Sequence, residues 1–331
     1  MKTSSETARS IKIGDVEIKS IVSSAPLAGI SDFILRKLLR EYSSTCLLTT
    51  EMLSSEALVQ KPDANISYTD NKEEPIAFQI EGHKPELMAR SAKILEHKAS
   101  IIDINMGCPI NKIVKGQDGC SLMRNPSLAK DIVIAVKESV SIPVTCKFRL
   151  GWSQDDKNFI EFAQLMQESG ACAVTVHGRT RSQMYGGNAD WEEIAKLKGE
   201  IDVPFFANGD IISPETAKKC LETSKADGIA IGRAVMGDLS LIYRTEKYLN
   251  EGILLPEPDL KEKISMLKRH LDEEIAFRGE LNGIKFFRKF YPCYIRNIRG
   301  GGEYRHKLVT ELNYNNIISI LDEILNDEKS R

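Results

Sequence analysis

Eight short segments that are apolar throughout recur along the chain, and helix-like patterns separate them. Strands of this kind are typical of a parallel sheet that is covered on both faces. Eight of them in series, with helices between, favour a closed barrel over an open sheet, so we predict an α/β fold of the (β/α)8 TIM-barrel class. The predicted strands are residues 21–25, 46–50, 75–80, 100–105, 143–148, 172–177, 204–207 and 228–231.

The region after residue 252 has a different pattern, because the alternation of strands and helices stops there. Residues 254–258, which include Pro256 and Pro258, predict a linker, and the Gly300-Gly301-Gly302 run predicts a loop between helices. We therefore predict a barrel domain over residues 1–255 and a small C-terminal helical domain over residues 256–331. The predicted helices are residues 31–42, 85–97, 127–140, 158–168, 191–197, 213–223 and 239–249 in the barrel, then 260–278, 283–296 and 315–325.

The composition is that of an ordinary soluble globular protein, and 331 residues suit one large domain with a small appendage. No apolar run approaches the roughly 20 residues that span a bilayer, and residues 1–10 are too polar for a signal peptide. We therefore expect a cytoplasmic protein that does not enter membranes. The seven cysteines are scattered without a CxxC pair, so the sequence predicts neither a disulfide framework nor a metal site.

One segment is strongly basic although the net charge of the chain is −2. Between Leu281 and Thr310 lie seven Lys and Arg residues, with Glu303 as the only acid, and six Phe and Tyr residues are interleaved with them. Cations mixed with aromatic rings suit a phosphate backbone whose bases stack beside it. On charge alone, a pair of amphipathic helices with a solvated cationic face is an equally good interpretation.

Polar side chains stand at the carboxyl ends of six consecutive predicted strands. Because these ends meet at one rim of a barrel, where the catalytic groups of such barrels lie, we expect the side chains to form one site. They are Gln79; Asn105 and Cys108; Lys147 and Arg149; His177 and Arg179; Asn208, Gly209 and Asp210; and Gly232 and Arg233.

Lys147 is the most informative of these residues, because a lysine inside an apolar strand is rarely buried without a partner. The alternative is a strand end that has already reached solvent. Taken singly, His177 is as readily explained as a core histidine, and Asn208-Gly209-Asp210 as a turn with a helix N-cap. Gly232 and Arg233 precede a helix, so their backbone N–H groups and the guanidinium can hold a phosphate.

Five motifs, in their order and spacing, carry a family resemblance over almost the whole chain. They are APLAG from Ala25, DINMGCP from Asp103, HGRTR from His177, ANGD from Ala207 and IGR from Ile231. Each motif is weak alone, but jointly they are specific. The chain resembles the tRNA-dihydrouridine synthases, and most of all the bacterial B-type members. Its segment from Phe287 to Arg305 is similar to the helical tRNA-binding domain of that family.

The resemblance implies an FMN-containing barrel that reduces a uridine of tRNA to 5,6-dihydrouridine with NADPH as reductant. By matching position, Cys108 is the implied proton donor, and Asn105 and Arg149 would hold the uracil. The implied FMN-binding residues are Pro26, Leu27, Ala28, Gln79, Lys147, His177, Asn208, Gly209, Asp210, Gly232 and Arg233. Further implied contacts to the tRNA substrate are Arg179, Arg288, Lys289, Arg296 and Arg305.

Each implied role has a physical reason. Reduced flavin can deliver hydride to C6 of uracil, and a positioned acid must then protonate C5. A thiol with an ordinary pKa near 8.5 stays protonated at neutral pH, so Cys108 can donate; the nearby Cys120 is an alternative acid. Lys147 near the flavin ring can stabilise negative charge on the reduced cofactor. Extracting a base from tRNA is easiest in a loop, which suits a barrel with a basic appendage.

Other functions remain open from the residues alone. A Schiff-base aldolase on the same barrel would use Lys147 as its nucleophile, and a different FMN barrel oxidoreductase would act on a small molecule. Neither has a use for the basic segment, and a non-catalytic tRNA-binding protein would leave the polar strand ends unexplained. We expect a monomer. The sequence predicts neither the uridine position nor a preference between NADPH and NADH, since no GxGxxG motif follows a strand.

Overall fold

The computed structural model describes residues 9–62 and 68–329, and its central feature is a closed barrel of eight parallel strands. These are β1 Val22–Ser24, β2 Leu48–Thr49, β3 Ile76–Glu81, β4 Ile101–Met106, β5 Val144–Arg149, β6 Ala173–His177, β7 Phe205–Asn208 and β8 Gly228–Ile231. From β2 onward each strand pairs with the next, and β8 pairs with β1. A hydrogen bond of 2.9 Å from Ser24 N to Leu47 O closes the ring between β1 and β2. The predicted (β/α)8 TIM barrel is confirmed.

Helices follow the strands and cover the outside of the barrel. In the helix over Pro126–Ser139, the side chains of Ala129, Ile132, Val133 and Val136 are buried, which is the spacing of one helical face. All seven helices predicted within the barrel are present, with ends that differ by a few residues. The helices are α1 Phe33–Tyr42, α2 Ser55–Gln60, α3 Pro85–Leu95, α4 Asn111–Lys115, α5 Pro126–Ser139, α6 Phe159–Glu168, α7 Trp191–Ala195, α8 Pro214–Ser224 and α9 Leu241–Glu251.

Several short elements are too brief for a periodic pattern, and the sequence did not predict them. Strands Ile11–Ile13 and Val16–Ile18 form a hairpin that lies across the amino-terminal end of the barrel, where Ile11 packs beside Gly228 and Gly14 beside Pro143. The polar residues 1–8 that precede it are outside the described residues. The other short elements are strands Leu53–Ser54, Gly151–Ser153 and Asp156–Lys157, and 3-10 helices Asn71–Glu73, Gly119–Arg124 and Arg233–Met236.

Residues 260–329 are mainly helical, and two predictions there are wrong. The predicted helix over 283–296 is broken after Phe287, and a separate turn with Pro292 in its first positions follows. The predicted glycine loop instead begins a helix, since Gly300 adopts φ 70° and helical geometry starts at Gly301. The helices are α10 Leu260–Arg278, α11 Glu280–Phe287, α12 Tyr291–Tyr294, α13 Gly301–Thr310 and α14 Tyr314–Lys329.

Residues 252–259 contain neither helix nor strand. The division of the chain into two domains near residue 256 remains a prediction. Across residues 9–62 and 68–329, no helix combines the length and apolarity that crossing a membrane requires.

The aromatic side chains of the basic segment form the core of the helical region. Phe287, Phe290, Tyr291 and Tyr294 are almost completely buried. They surround His270 of α10, whose ring centroid lies 4.5 Å from that of Phe290. Buried rings cannot stack on bases, so the interpretation that these aromatics contact nucleic acid is wrong. Contact of the neighbouring cations with a phosphate backbone remains a prediction.

The helical region packs against the barrel beside the loop that follows β1. Lys289 Nζ donates a hydrogen bond to the carbonyl oxygen of Gly29 in that loop, and Arg278 forms an ion pair with Asp32 at its end. Further along, Gly237 lies against the backbone of Cys293. The loop after β1 is therefore held from one side by the barrel and from the other by α10 and by Lys289, which follows α11.

We expect the substitution Gly237→Ala to destabilise the protein, because the new Cβ would overlap the Cys293 carbonyl group, whose carbon would lie 2.7 Å away. Overpacking of this kind lowers the free energy of unfolding by about 1–3 kcal/mol. Urea denaturation measures the change. Gly302→Ala is the matched control, since its Cβ would meet nothing closer than 3.9 Å. Equal midpoints for both variants would contradict the packing described.

Candidate active site

The pairing of the strands places the predicted polar side chains side by side at the carboxyl end of the barrel. Gln79 stands opposite Asp103, Asn105 opposite Lys147, and His177 opposite both Arg149 and Asn208. Gly209, Asp210, Gly232 and Arg233 follow directly after β7 and β8, and Pro26, Leu27 and Ala28 follow β1. The rim predicted from the strand ends therefore exists, and Arg288, Arg296 and Arg305 are not part of it.

A chain of buried hydrogen bonds runs through the barrel beneath this rim. Gln79 Nε2 donates to Asp103 Oδ2 (2.6 Å), and Gln79 Oε1 accepts from Asn105 Nδ2 (2.7 Å). Asn105 Oδ1 in turn accepts from the backbone N–H groups of Gly107 (3.2 Å) and Cys108 (3.0 Å). The second oxygen of Asp103 accepts from Thr145 Oγ1 at 2.6 Å.

The carboxylate of Asp103 sets the direction of every bond in that chain. Burial raises its pKa to about 6, although the hydrogen bonds from Thr145 and Gln79 and the charge of Lys147 act in the opposite direction. Above that pH the carboxylate has only acceptors, so the Gln79 amide must turn its nitrogen towards Asp103 and its oxygen towards Asn105. Asn105 is then oriented too, with its oxygen towards the Cys108 turn.

Lys147 and His177 line the interior without hydrogen bonds to the described part of the protein. Lys147 borders a cavity of about 30 Å³ inside the barrel, together with Asp103, Thr145 and Pro26. Burial and then the charge of Arg149 lower the pKa of Lys147 to about 8. Burial and the surrounding cations, with Lys147 first among them, lower the pKa of His177 well below 6.5, so its imidazole is neutral. Its Nδ1 is buried without a partner among the described residues.

Arg149 and Arg179 hold loops together at the rim. Arg149 Nε donates to Gly107 O (2.9 Å), and its Nη1 donates to Thr180 O (2.9 Å) and Met184 O (2.7 Å). Arg179 binds the carbonyl oxygens of Gly186 and Gly187 and pairs with Asp210 at 2.7 Å, while its Nη1 is buried without a partner in the described chain. Both guanidiniums are therefore used mainly within the protein.

The segment after β7 is a strained turn that only glycine permits at its centre. Gly209 has φ +119°, and a Cβ there would lie 2.7 Å from the Cβ of Ala189. Asp210 is left-handed with φ 55° and accepts hydrogen bonds from Arg179 and from Ala189 N. The N-cap of α8 is Ser213. The alternative interpretation of this motif as a helix N-cap is therefore wrong.

The loops after β1 and β8 leave backbone groups available. Pro26 borders the interior cavity, whereas the Leu27 N–H is already bonded to Ser31 Oγ at 2.9 Å. No described residue accepts a hydrogen bond from the N–H of Gly232 or Arg233, and the Arg233 side chain is 56% exposed.

Cys108 is a half-buried thiol at the rim, and Cys120 lies behind it. Burial raises the pKa of Cys108 above its ordinary value, and this outweighs the opposite effect of Arg149 and Lys147. Cys120 is fully buried, its N–H donates to Cys108 O at 3.1 Å, and burial raises its pKa to about 12. The thiol that can reach a ligand is therefore Cys108.

Sequence reasoning missed two further groups at the rim. Tyr185 is half exposed, and its ring lies between Arg149 and Arg233, 5.6 and 5.4 Å from the two guanidinium carbons. Glu81 ends β3 and faces Cys108 electrostatically. Tyr185 stands in a loop where no pattern predicts its position. Glu81 lies two residues after Gln79, so alternation along β3 could have revealed it.

The predicted basic contacts of the helical region differ in exposure. Arg296 is exposed, with Nη2 3.9 Å from Cys293 Sγ, while Arg305 is half-buried and donates to Ile295 O at 3.2 Å. Arg288 is half-buried, with an unpaired Nε among the described residues. Lys289 is bonded to Gly29 O and lies 3.1 Å from the centre of the Phe286 ring. Arg296 is the one of the four that projects freely.

Comparison with known proteins points to one family. The family model described as dihydrouridine synthase (Dus) matches residues 23–320. The chain is 38% identical to the probable tRNA-dihydrouridine synthase 1 of Synechocystis, over 91% of this chain and 85% of that protein. It is 37% identical to tRNA-dihydrouridine synthase B of Pseudomonas aeruginosa, over 89% of this chain and 90% of that protein.

Solved structures share the barrel at low sequence identity. A 2-naphthoyl-CoA reductase superimposes with a TM-score of 0.58 at 11% identity, over 75% of this chain and 52% of that chain. The old yellow enzyme homologue of Zymomonas mobilis gives 0.53 at 13% identity, over 78% of this chain and 96% of that one. At such identities the likeness concerns the fold alone.

The substitution Gln79→Glu should make stability strongly dependent on pH. It keeps the shape of the side chain but places a second carboxyl group against Asp103, so the pair must retain an extra proton in the folded state. The folded pKa of the new group is raised, so its contribution is lost as pH rises, by about 1.4 kcal/mol per pH unit above pH ~4.3. Urea unfolding at pH 5 and pH 7 measures this. Gln60→Glu, at an exposed position, is the control. The same change in unfolding free energy between pH 5 and pH 7 in both variants would disprove the Gln79–Asp103 bond.

Proposed function

The chain belongs to the dihydrouridine synthase family, and from this premise and the geometry of the barrel rim we propose that it reduces a uridine of tRNA to 5,6-dihydrouridine. The observation that carries the proposal is the half-buried Cys108 thiol, whose backbone N–H is bonded to Asn105, the residue that stands opposite Lys147 on the neighbouring strand. The tRNA substrate is supported by the names of the relatives, which are tRNA-dihydrouridine synthases.

FMN is the proposed cofactor, and the residues at the rim fit it. Lys147 and His177 have polar atoms without partners in the described chain, which suits the polar edge of an isoalloxazine ring. The free N–H groups at Gly232 and Arg233 and the exposed guanidinium suit a phosphate. Gln79, Asn208 and Asp210 support this surface through their own hydrogen bonds. Bound FMN would supply hydride for C6 of the uracil, with NADPH as the proposed source.

Cys108 is the proposed acid that protonates C5. The chemistry requires a thiol and not a thiolate, and burial of Cys108 raises its pKa. Its position is fixed because its backbone N–H is bonded to Asn105 and its carbonyl oxygen to Cys120 N. A group so placed can donate a proton without reorganising the loop.

Asn105 and Arg149 are the proposed partners of the uracil. Most hydrogen-bonding groups of both side chains are already bonded within the protein. The second N–H of the Asn105 amide and the Nη2 of Arg149, however, have no partner among the described residues. Their committed bonds hold these donors in fixed directions. Fixed donors suit the carbonyl oxygens of a base that has left its stack.

The basic face of the helical region is the proposed binding surface for the rest of the tRNA. Arg296 and Arg299 are exposed there, and Arg288 and Arg305 are half-buried beside them. Because the aromatic rings of this region form its core, the contacts are with phosphates and not with bases. Lys289 instead joins this surface to the loop after β1. One tRNA per monomer is the proposed assembly.

Replacement of Cys108 tests the chemistry. We expect Cys108→Ala to slow dihydrouridine formation by at least about 100-fold, since loss of a general acid costs that much, while reduction of the flavin by NADPH continues. Site-resolved mass spectrometry of tRNA from cells that lack the gene, complemented with each variant, measures the product and also gives the uridine position. Cys120→Ala is the control and should retain activity. An active Cys108→Ala enzyme would refute the proposed acid.

Replacement of Arg296 tests the surface. We expect Arg296→Ala to weaken binding of tRNA a few-fold and to reduce the slope of log Kd against log salt by about one, as loss of one phosphate contact does. Filter binding at several salt concentrations measures both. Lys93→Ala, an exposed cation on α3, should change neither. An unchanged slope for Arg296→Ala would remove this residue from the interface.

A further inference from the structure

Glu81 is a buried carboxyl group at the rim that the proposed function does not use. It ends β3 two residues after Gln79, so it occupies the same face of the strand one step nearer the mouth. It is only 9% exposed, and its Oε2 is buried with no hydrogen-bond partner among the described residues. A buried carboxylate without a partner is costly, which favours its protonated form.

Glu81 and Cys108 follow two residues, Gln79 and Asn105, that are hydrogen-bonded to each other. Gln79 Oε1 accepts from Asn105 Nδ2, and Asn105 Oδ1 accepts from Cys108 N. The Gln79–Asn105 hydrogen bond therefore joins the two segments, since Glu81 follows Gln79 on β3 and Cys108 follows Asn105 on β4. After burial, the Glu81 charge is the main influence that raises the pKa of Cys108, so the two groups are within electrostatic range of each other.

A second pair of titratable groups, His83 and Asp118, affects the pKa of Glu81. His83 Nδ1 and Asp118 Oδ1 are 2.9 Å apart, and both side chains are partly exposed. Gly119, next to Asp118, has φ +58° and approaches Cys108 so closely that a Cβ would lie 3.0 Å from the Cys108 Cβ. The loop that carries Asp118 is thus packed on the thiol. The titratable groups whose charges affect the pKa of Glu81 are Asp118, His83 and Glu56, and the Glu81 charge in turn affects Cys108.

We propose that Glu81 returns a proton to Cys108 after each turnover, an inference that rests on the proposed function. When the Sγ–H bond breaks, its proton goes to C5 of the uracil and a thiolate remains. The O–H bond of Glu81 then breaks, an S–H bond forms, and the Glu81 carboxylate recovers a proton from water. No electrons are transferred in these steps. Glu81 acts through Cys108 and does not touch the substrate.

The acidity of Glu81 suits this task. Burial, and then the charge of Asp118, raises its pKa to about 7, while His83 acts in the opposite direction. A carboxyl group of that pKa is protonated below pH 7 and gives its proton readily to a thiolate whose conjugate acid is weaker. Steady-state turnover should therefore decline as pH rises through about 7.

The variant Glu81→Gln, loaded with FMN, separates this role from a structural one. The first turnover uses the proton already on Cys108, so its rate should change less than about twofold, whereas steady-state turnover should fall about tenfold. The decline near pH 7 should also disappear. Glu86→Gln removes an exposed carboxyl group in the first turn of α3, and it should leave both rates unchanged. Equal losses in both phases, or no loss in either, would overturn the proposal.

A measurement without tRNA tests the coupling of Glu81 to Cys108 separately from the proposed function. The pH dependence of Cys108 alkylation by iodoacetamide, followed by peptide mass spectrometry, reports the pKa of the thiol. Removing the Glu81 charge should lower that pKa, and an identical profile in Glu81→Gln would overturn the coupling. If wild-type enzyme forms no dihydrouridine in any tRNA, the proposed function fails, whatever the alkylation profile shows.

Discussion

A single buried carboxylate inside the barrel determines how the rim is arranged. Asp103 can only accept hydrogen bonds when ionised, so the amide of Gln79 has one allowed orientation, and the amide of Asn105 follows from it. The Asn105 oxygen then fixes the turn that carries Cys108. Because each amide has one end for donating and one for accepting, reversing any member would leave two like groups face to face. The thiol at the rim is thus positioned from the interior, through bonds that are buried as far as Asn105 and partly buried at the Cys108 turn.

Burial also determines which groups around this thiol are charged. The same low polarity that lowers the pKa of Lys147 makes His177 neutral and keeps Cys108 a thiol, although two cations are near. Without burial, Lys147 and Arg149 would favour the thiolate, which cannot donate a proton. The rim therefore combines positive charge, suited to an electron-rich ligand, with a neutral acid. In water, nearby cations would favour the thiolate, whereas burial keeps the thiol protonated beside them.

The parts of the structure that the sequence predicted are those governed by a long or regular pattern. Continuous apolar runs identified all eight barrel strands, and polar residues at their ends identified most of the rim. Tyr185 was missed because it stands in a loop that no pattern places, whereas Glu81 was missed although alternation along β3 gives its position. The aromatic residues were misread although a signal existed: Phe287, Phe290, Tyr291 and Tyr294 have the spacing of one helical face, which is typical of a core. Their association with cations obscured that spacing.

The contacts of Lys289 with Gly29 and of Arg278 with Asp32 have a consequence for how this chain can change over time. Asp32 is buried, which raises the pKa of its carboxyl to about 6, and it depends on a guanidinium contributed by a helix far along the sequence. A helical region exchanged for that of a relative would bring a new basic face but would leave Asp32 without its partner unless Arg278 were exchanged with it. The loop after β1 and the helices are accordingly expected to change together, whereas substitutions on the exposed side of the helical region are free of that constraint.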